Sequence, residues 1–89
     1  MIRRSVLRGV GMKRYMVIEH FKAGQFDAVY QRVDEQGRML PEGLEYIDSW
    51  VSREKNACFQ LMRTDKEALF DQWTSRWSDL VNMEVVPLD

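Results

Sequence analysis

The sequence predicts an α+β domain whose elements run β-α-β-β-α-β, with the four strands in one antiparallel sheet. Three observations carry this. Short β-branched and aromatic runs alternate with two stretches in which apolar residues recur every three or four positions. Turn formers separate them: KAG at 22–24, Pro41 with Gly43, and the polar SREKN at 52–56. At 89 residues the chain has room for one domain.

The first strand is expected over Arg14–Phe21, with Val17 and Ile18 in the middle and aromatics near both ends. From Gln25 the period changes: Phe26, Val29, Tyr30 and Val33 fall on one helical face, and Gly37 suits the left-handed position after the last turn. Leu44–Val51 reads as the second strand and Ala57–Arg63 as the third, joined by a hairpin. Thr64 and Glu67 have capping-box spacing, and the second helix is expected to bury Leu69, Phe70, Trp73, Trp77 and Leu80. Asn82–Leu88 is the last strand; Pro87 cannot donate to a ladder, so it belongs at an edge. Two right-handed βα units then put the first and third strands at the centre and both helices on one face, the ferredoxin-like arrangement. Residues 1–11, MIRRSVLRGVG, are read as an N-terminal tail, and 12–89 as the domain.

Alternation along the strands suggests which face the helices cover. Met16, Ile18, Ile47, Val51, Phe59 and Leu61 form aliphatic-rich registers; Tyr15, Val17, Glu19, Tyr46, Asp48, Trp50, Cys58 and Gln60 lie on the opposite, mixed registers. The aliphatic registers are expected under the helices. The mixed face then suits sheet-on-sheet packing between two chains, with a lined cavity between them. Three Trp, three Tyr, four Phe and six Met in so short a chain also point to a second copy.

Composition narrows the function. A net charge of −1, from 13 basic and 14 acidic residues, leaves no basic surplus for nucleic acid. No apolar run approaches the ~20 residues of a membrane span. With one cysteine and one histidine there is no internal disulfide and no zinc cluster; no metal and no cofactor is expected, and the location reads as cytoplasmic. There is no phosphate loop, HExxH, catalytic triad or calcium loop.

MKRYMVIEHF, GRMLPEGLEYIDSW, CFQLM and ALFDQW…RWSDL…EVVP together resemble a family of small bacterial proteins. That family is classed as a domain of unknown function within the dimeric α+β barrel superfamily. The resemblance spans about Met12–Leu88. It implies that two ferredoxin-like sheets pair into a barrel whose interior holds a small ligand. The superfamily includes antibiotic-biosynthesis monooxygenases, muconolactone isomerases and ligand-sensing domains, but the resemblance brings no particular reaction with it.

The site residues are argued from their chemistry. Glu19, Asp48 and Gln60 are the polar members of the mixed registers on three adjacent strands, set either to bind a ligand or to make polar contacts across a dimer. Tyr46 and Trp50 share that face and suit a cavity wall or an interface. Glu19 and His20 are the candidates for a catalytic base, yet neighbours on a strand point to opposite faces, so only one can line a given cavity. With Glu19 lining the barrel, His20 is expected toward the helices. Trp73 and Trp77 read as core packing and Cys58 as an inert thiol. The leading expectation is a homodimer that binds a small, mainly apolar molecule between its sheets. Two alternatives stand beside it: a structural or partner-binding dimer with a filled interior, and a cofactor-independent enzyme of monooxygenase or isomerase type.

Overall fold

Nine residues of alternating burial, Lys13–Phe21, form β1, the strand around which the domain is built. It is followed by α1 (Phe26–Gln36), β2 (Glu45–Val51), β3 (Ala57–Thr64), α2 (Leu69–Ser75) and β4 (Val81–Pro87). This is a computed structural model, and it describes residues 11–89, so the tail expected over 1–11 lies, but for Gly11, outside the described residues. The sheet order is β2-β3-β1-β4 with every pair antiparallel. Each strand lies within one residue of its expected bounds, and Pro87 sits on an edge strand as its missing N–H requires.

The helices begin and end for local reasons. In α1, Asp27 complements the positive end of the helix, and Gly37 closes it with φ 68° and its N–H on the Val33 carbonyl at 2.8 Å. The capping box expected at Thr64 does not form. Thr64 belongs to β3, where its hydroxyl donates to the Gly43 carbonyl at 2.8 Å and accepts from the Lys66 N–H at 3.1 Å. Glu67 faces Tyr15 instead, whose hydroxyl lies 3.4 Å from Oε1. Regular α2 therefore starts only at Leu69 and stops at Ser75. Tight turns carry the chain on, with Trp77 N–H on the Thr74 carbonyl and Leu80 N–H on that of Trp77. Trp77 and Leu80 still reach the core, as the spacing predicts.

The core fills the layer between the helices and one sheet face. Tyr15, Val17 and Met62 meet Val29, Phe70, Trp73 and Trp77 there, with the Tyr15 and Phe70 rings edge to face at 4.9 Å. This reverses the expected face assignment. The mixed register, Tyr15-Val17-Glu19 with Cys58-Gln60-Met62, lies under the helices. The aliphatic register, Met16-Ile18 with Phe59-Leu61, lies on the helix-free face. The reason is volume. Two tryptophans and Phe70 descend from the α2 segment onto the sheet, and the register that packs around them also supplies polar groups able to pair beneath them.

β2 contributes to both faces because of a bulge. Tyr46 opposes Met62 but Asp48 opposes Leu61, so Ile47 is an extra residue and the alternation shifts by one. Tyr46 and Ser49 turn toward the helices, while Asp48 and Trp50 stand on the helix-free face. That face leaves large apolar groups uncovered in a single chain: Trp50 is 50% exposed and Phe59 38%.

Candidate functional site

Two polar side chains, Glu19 and Gln60, are buried side by side where β1 and β3 pair beneath α1. Glu19 opposes Cys58 on β3 and Met83 on β4. Its side chain is buried at 9% exposure. Gln60 Nε2 donates to Glu19 Oε2 at 2.8 Å, and Gln60 Oε1 accepts from Arg38 Nε at 2.9 Å. The glutamine thus uses one end for the carboxyl and the other for the guanidinium. Among the described residues no hydrogen bond reaches Glu19 Oε1 or the terminal Arg38 nitrogens.

Arg38 is held on three sides. Its carbonyl accepts from the indole N–H of Trp73 at 2.8 Å and of Trp77 at 3.1 Å. Its guanidinium carbon sits 3.6 Å from the centre of the Tyr46 ring, a stacked cation–π contact. The following residue, Met39, takes φ 59°, and its carbonyl is tied to the Arg76 guanidinium at 2.6 Å. A short connection between α1 and β2 is thereby pinned to the α2 segment, and its one guanidinium is directed to the edge of the core.

These side chains border a cavity between the sheet and the helices. Its volume, taken as the space open to the centre of a water molecule, is about 80 Å³. The walls are Val29, Tyr30 and Val33 from α1, Trp73 from α2 and Trp77 from the turn after it, and Val81 and Met83 from β4. Glu19, Gln60, Arg38, Ser49 and Cys58 supply the polar atoms. Ser49 Oγ is already bonded to the Tyr46 hydroxyl at 2.7 Å.

Burial controls the ionisation here. It pushes the Glu19 carboxyl up from 4.5 to about 7, against the opposing pull of the Arg38 charge and the Gln60 hydrogen bond. It pushes the Cys58 thiol up to about 11, aided by the charge of Glu19, so Cys58 remains a neutral thiol at neutral pH. Tyr30 is likewise raised, chiefly by burial. The cavity therefore holds one permanent cation and one carboxyl that changes charge near pH 7.

The structure brings together Glu19, Gln60 and Tyr46 of the residues singled out in the sequence. It separates Asp48 and Trp50 from them, on the other face, through the bulge at Ile47. His20 also stands on that other face, half exposed, with Nε2 3.7 Å from Glu84 Oε1. Its expected orientation toward the helices is corrected by the same face reversal. The sequence singles out no role for Arg38, which stands there only within the segment GRMLPEGLEYIDSW, and it offers Trp73 and Trp77 only as core and Tyr30 only as part of a helical face. A buried carboxylate on a central strand calls for a cation in reach, and that was the available signal for Arg38. Among the described residues no group of three or more His, Cys, Asp or Glu side chains could hold a metal ion. No helix among them is long and apolar enough to cross a membrane.

The model of a domain of unknown function, DUF3303, matches residues 13–88. The chain belongs to the DUF3303 family. No curated protein matches its sequence. Solved structures share the fold of this DUF3303 chain at low identity. The Pseudomonas aeruginosa protein PA3566 is 13% identical, with a TM-score of 0.58 over 86% of this chain and 91% of that one. A Bacteroides thetaiotaomicron protein assigned as an antibiotic biosynthesis monooxygenase is 13% identical, with a TM-score of 0.55 over 88% of each chain. One from Chloroflexus aurantiacus, with the same assignment, is 16% identical, with a TM-score of 0.51 over 88% of this chain and 94% of that one. At these identities the likeness establishes fold alone: this DUF3303 domain has a ferredoxin-like α+β fold.

Proposed function

We propose that the protein is a homodimer, joined through the helix-free sheet faces, whose protomers each bind a small, largely apolar molecule in the cavity beneath their helices and not, as the sequence suggested, between the two sheets. One observation carries the ligand half of this reading. An otherwise apolar cavity converges on a buried carboxyl, an amide and a pinned guanidinium. Closing that space with side chains would leave the buried Glu19 with an unused carboxyl oxygen, so a filled interior is the poorer account of this layer. The dimer half is supported by the exposed Trp50 and Phe59, which pair on the helix-free face and which a single chain leaves in water. A cytoplasmic location goes with the lone, buried thiol of Cys58.

Native mass spectrometry of protein purified from its own host tests both halves. Two chains with a retained small molecule is the expected result. Monomer alone at micromolar concentration would end the dimer proposal, and dimer that never carries a ligand would end the other.

A second reading, a cofactor-independent enzyme of monooxygenase or isomerase type, is favoured by Glu19. A carboxyl at about 7 inside an apolar cavity is matched to taking and returning a proton at neutral pH. Some neighbours in fold are themselves assigned as antibiotic biosynthesis monooxygenases. Small enolisable carbon acids incubated in heavy water should then take up deuterium faster with wild type than with Glu19→Gln. Equal rates across the panel would remove this reading.

A further inference from the structure

We infer that the cavity takes a compact monocarboxylate, of about the size of one ring bearing its carboxyl group, with the ligand on Arg38 and one proton shared between ligand and Glu19. This rests on the reading of the cavity as a ligand site and adds the chemical class and the proton.

Size comes first. About 80 Å³ of space for water centres, at roughly 10–15 Å³ for each water, has room for about five to eight waters. That is the volume of a single substituted ring and excludes fused polycyclic molecules in this conformation. The walls favour such a ring: Trp73, Trp77 and Tyr30 are aromatic, and the rest of the lining is largely aliphatic.

The charge of the ligand follows from Arg38. Among the described residues only its Nε is used, on Gln60. The four N–H donors of its terminal nitrogens have no partner among the described residues, and the residue borders the cavity. A planar guanidinium whose plane is set by stacking on Tyr46 matches a carboxylate with two parallel hydrogen bonds. The two indoles that wall the cavity also hold the Arg38 backbone, so the cation is in place before the ligand arrives.

The proton follows from Glu19. With Glu19 ionised, the empty cavity carries one positive and one negative charge. A bound carboxylate would bring a second negative charge beside Glu19 in a low-dielectric site, and two carboxylates sharing a site hold one proton between them. The other titratable groups that face Glu19 do not compete for this role. Tyr30 on α1 and Cys58 on β3 are held neutral by burial, Arg38 is always charged, and the Tyr46 hydroxyl is engaged with Ser49. β4 presents Met83, and α2 and the turn after it present indoles, none of which titrates. Since Glu19 lies near pH 7 before binding, the shared proton must be drawn from solution at higher pH. Affinity then falls as pH rises.

Calorimetric titration of benzoate into the full chain tests this, run from pH 6 to 9 in buffers of differing ionisation heat, beside nitrobenzene as an uncharged molecule of the same shape. Benzoate should take up about one proton per site at pH 8, and its Kd should rise about tenfold from pH 8 to 9 and level off below pH 6.5. Glu19→Gln should still bind benzoate, with the proton uptake and the pH slope gone. Benzoate binding without proton uptake in wild type would overturn the shared proton; that measurement needs no variant to fold. Nitrobenzene binding where benzoate does not would overturn the carboxylate while leaving an apolar ligand site standing. Failure of benzoate to bind at millimolar concentration would also overturn this inference, and the proposed ligand site would then be judged on the native mass spectrum.

Discussion

Both faces of this sheet present large apolar side chains, and they are put to different use. Under the helices, Val17, Met62, Trp73 and Val81 are buried almost completely, yet three polar residues, Glu19, Gln60 and Thr64, are buried with them. On the helix-free face, β1 and β3 present Met16, Ile18, Phe59 and Leu61, with Trp50 at one side and His20 and Glu84 at the other. The covered face is closed by its own chain and contains the polar pairs. The uncovered face is aliphatic and aromatic across its middle and charged toward its rim, as an interface between chains is built. The difference teaches that burial of apolar surface alone does not mark the site; buried polar groups with atoms to spare do.

The sharpest way to break this comparison is to remove the keystone of the covered face. Trp73→Ala takes away the largest fully buried side chain and the indole bond to the Arg38 carbonyl. It should cost about 3–5 kcal/mol in urea denaturation. A cost below about 1 kcal/mol would mean that the core lies elsewhere.

The next largest effect is expected from Glu19, and its sign follows from the shift. The folded state holds the Glu19 proton to about pH 7 where the ordinary value is 4.5. The stability this proton contributes is complete below about pH 4.5 and lost as pH rises through about 7. Wild type should therefore be less stable at pH 8 than at pH 5 by an amount of up to ~3 kcal/mol from this group. Glu19→Gln should remove that slope and be the more stable protein at pH 8. A wild-type stability that is flat or rising between pH 5 and 8 would contradict the burial of Glu19.

Trp50→Glu probes the other face. It should weaken dimerisation by about 2 kcal/mol or more, a factor of about 30 in the dissociation constant. The urea midpoint of the dilute monomer should hardly move. The smallest effects come from a matched pair of neighbours. Val17→Ala, under the helices, should cost about 2 kcal/mol at every protein concentration. Ile18→Ala, one residue on and facing the other way, should cost about 1 kcal/mol, and more as concentration rises and dimer forms. If the two substitutions behave alike across a dilution series, the faces do not differ as described.

How much of this was legible in the sequence depends on the range of the signal. Element order rests on local marks such as Gly37, Pro41, the 52–56 hairpin and Pro87, and it emerged with strand bounds within one residue. The assignment of faces did not. On β1 both registers are apolar, Tyr15-Val17 against Met16-Ile18, so a period of two shows that there are two faces without showing which is covered. What decides is the bulk of Trp73 and Trp77 arriving from the far end of the chain. Ile47 adds a bulge that neither Gly nor Pro marks, and it carries Asp48 and Trp50 away from Glu19 and Gln60. The pairing of Thr64 with Gly43 instead of Glu67 is likewise a tertiary event, which a local capping pattern cannot foresee.

The central claim, a ligand site inside each protomer and an interface on its other face, can be put to the three indole N–H signals of Trp50, Trp73 and Trp77 in one nuclear magnetic resonance titration with benzoate. Trp73 and Trp77 wall the cavity and bond to Arg38, whereas Trp50 lies across the sheet. The account predicts that benzoate shifts the signals of Trp73 and Trp77 and leaves that of Trp50 in place. A titration that moves Trp50 and leaves the other two still would contradict it, and would put the ligand between the sheets.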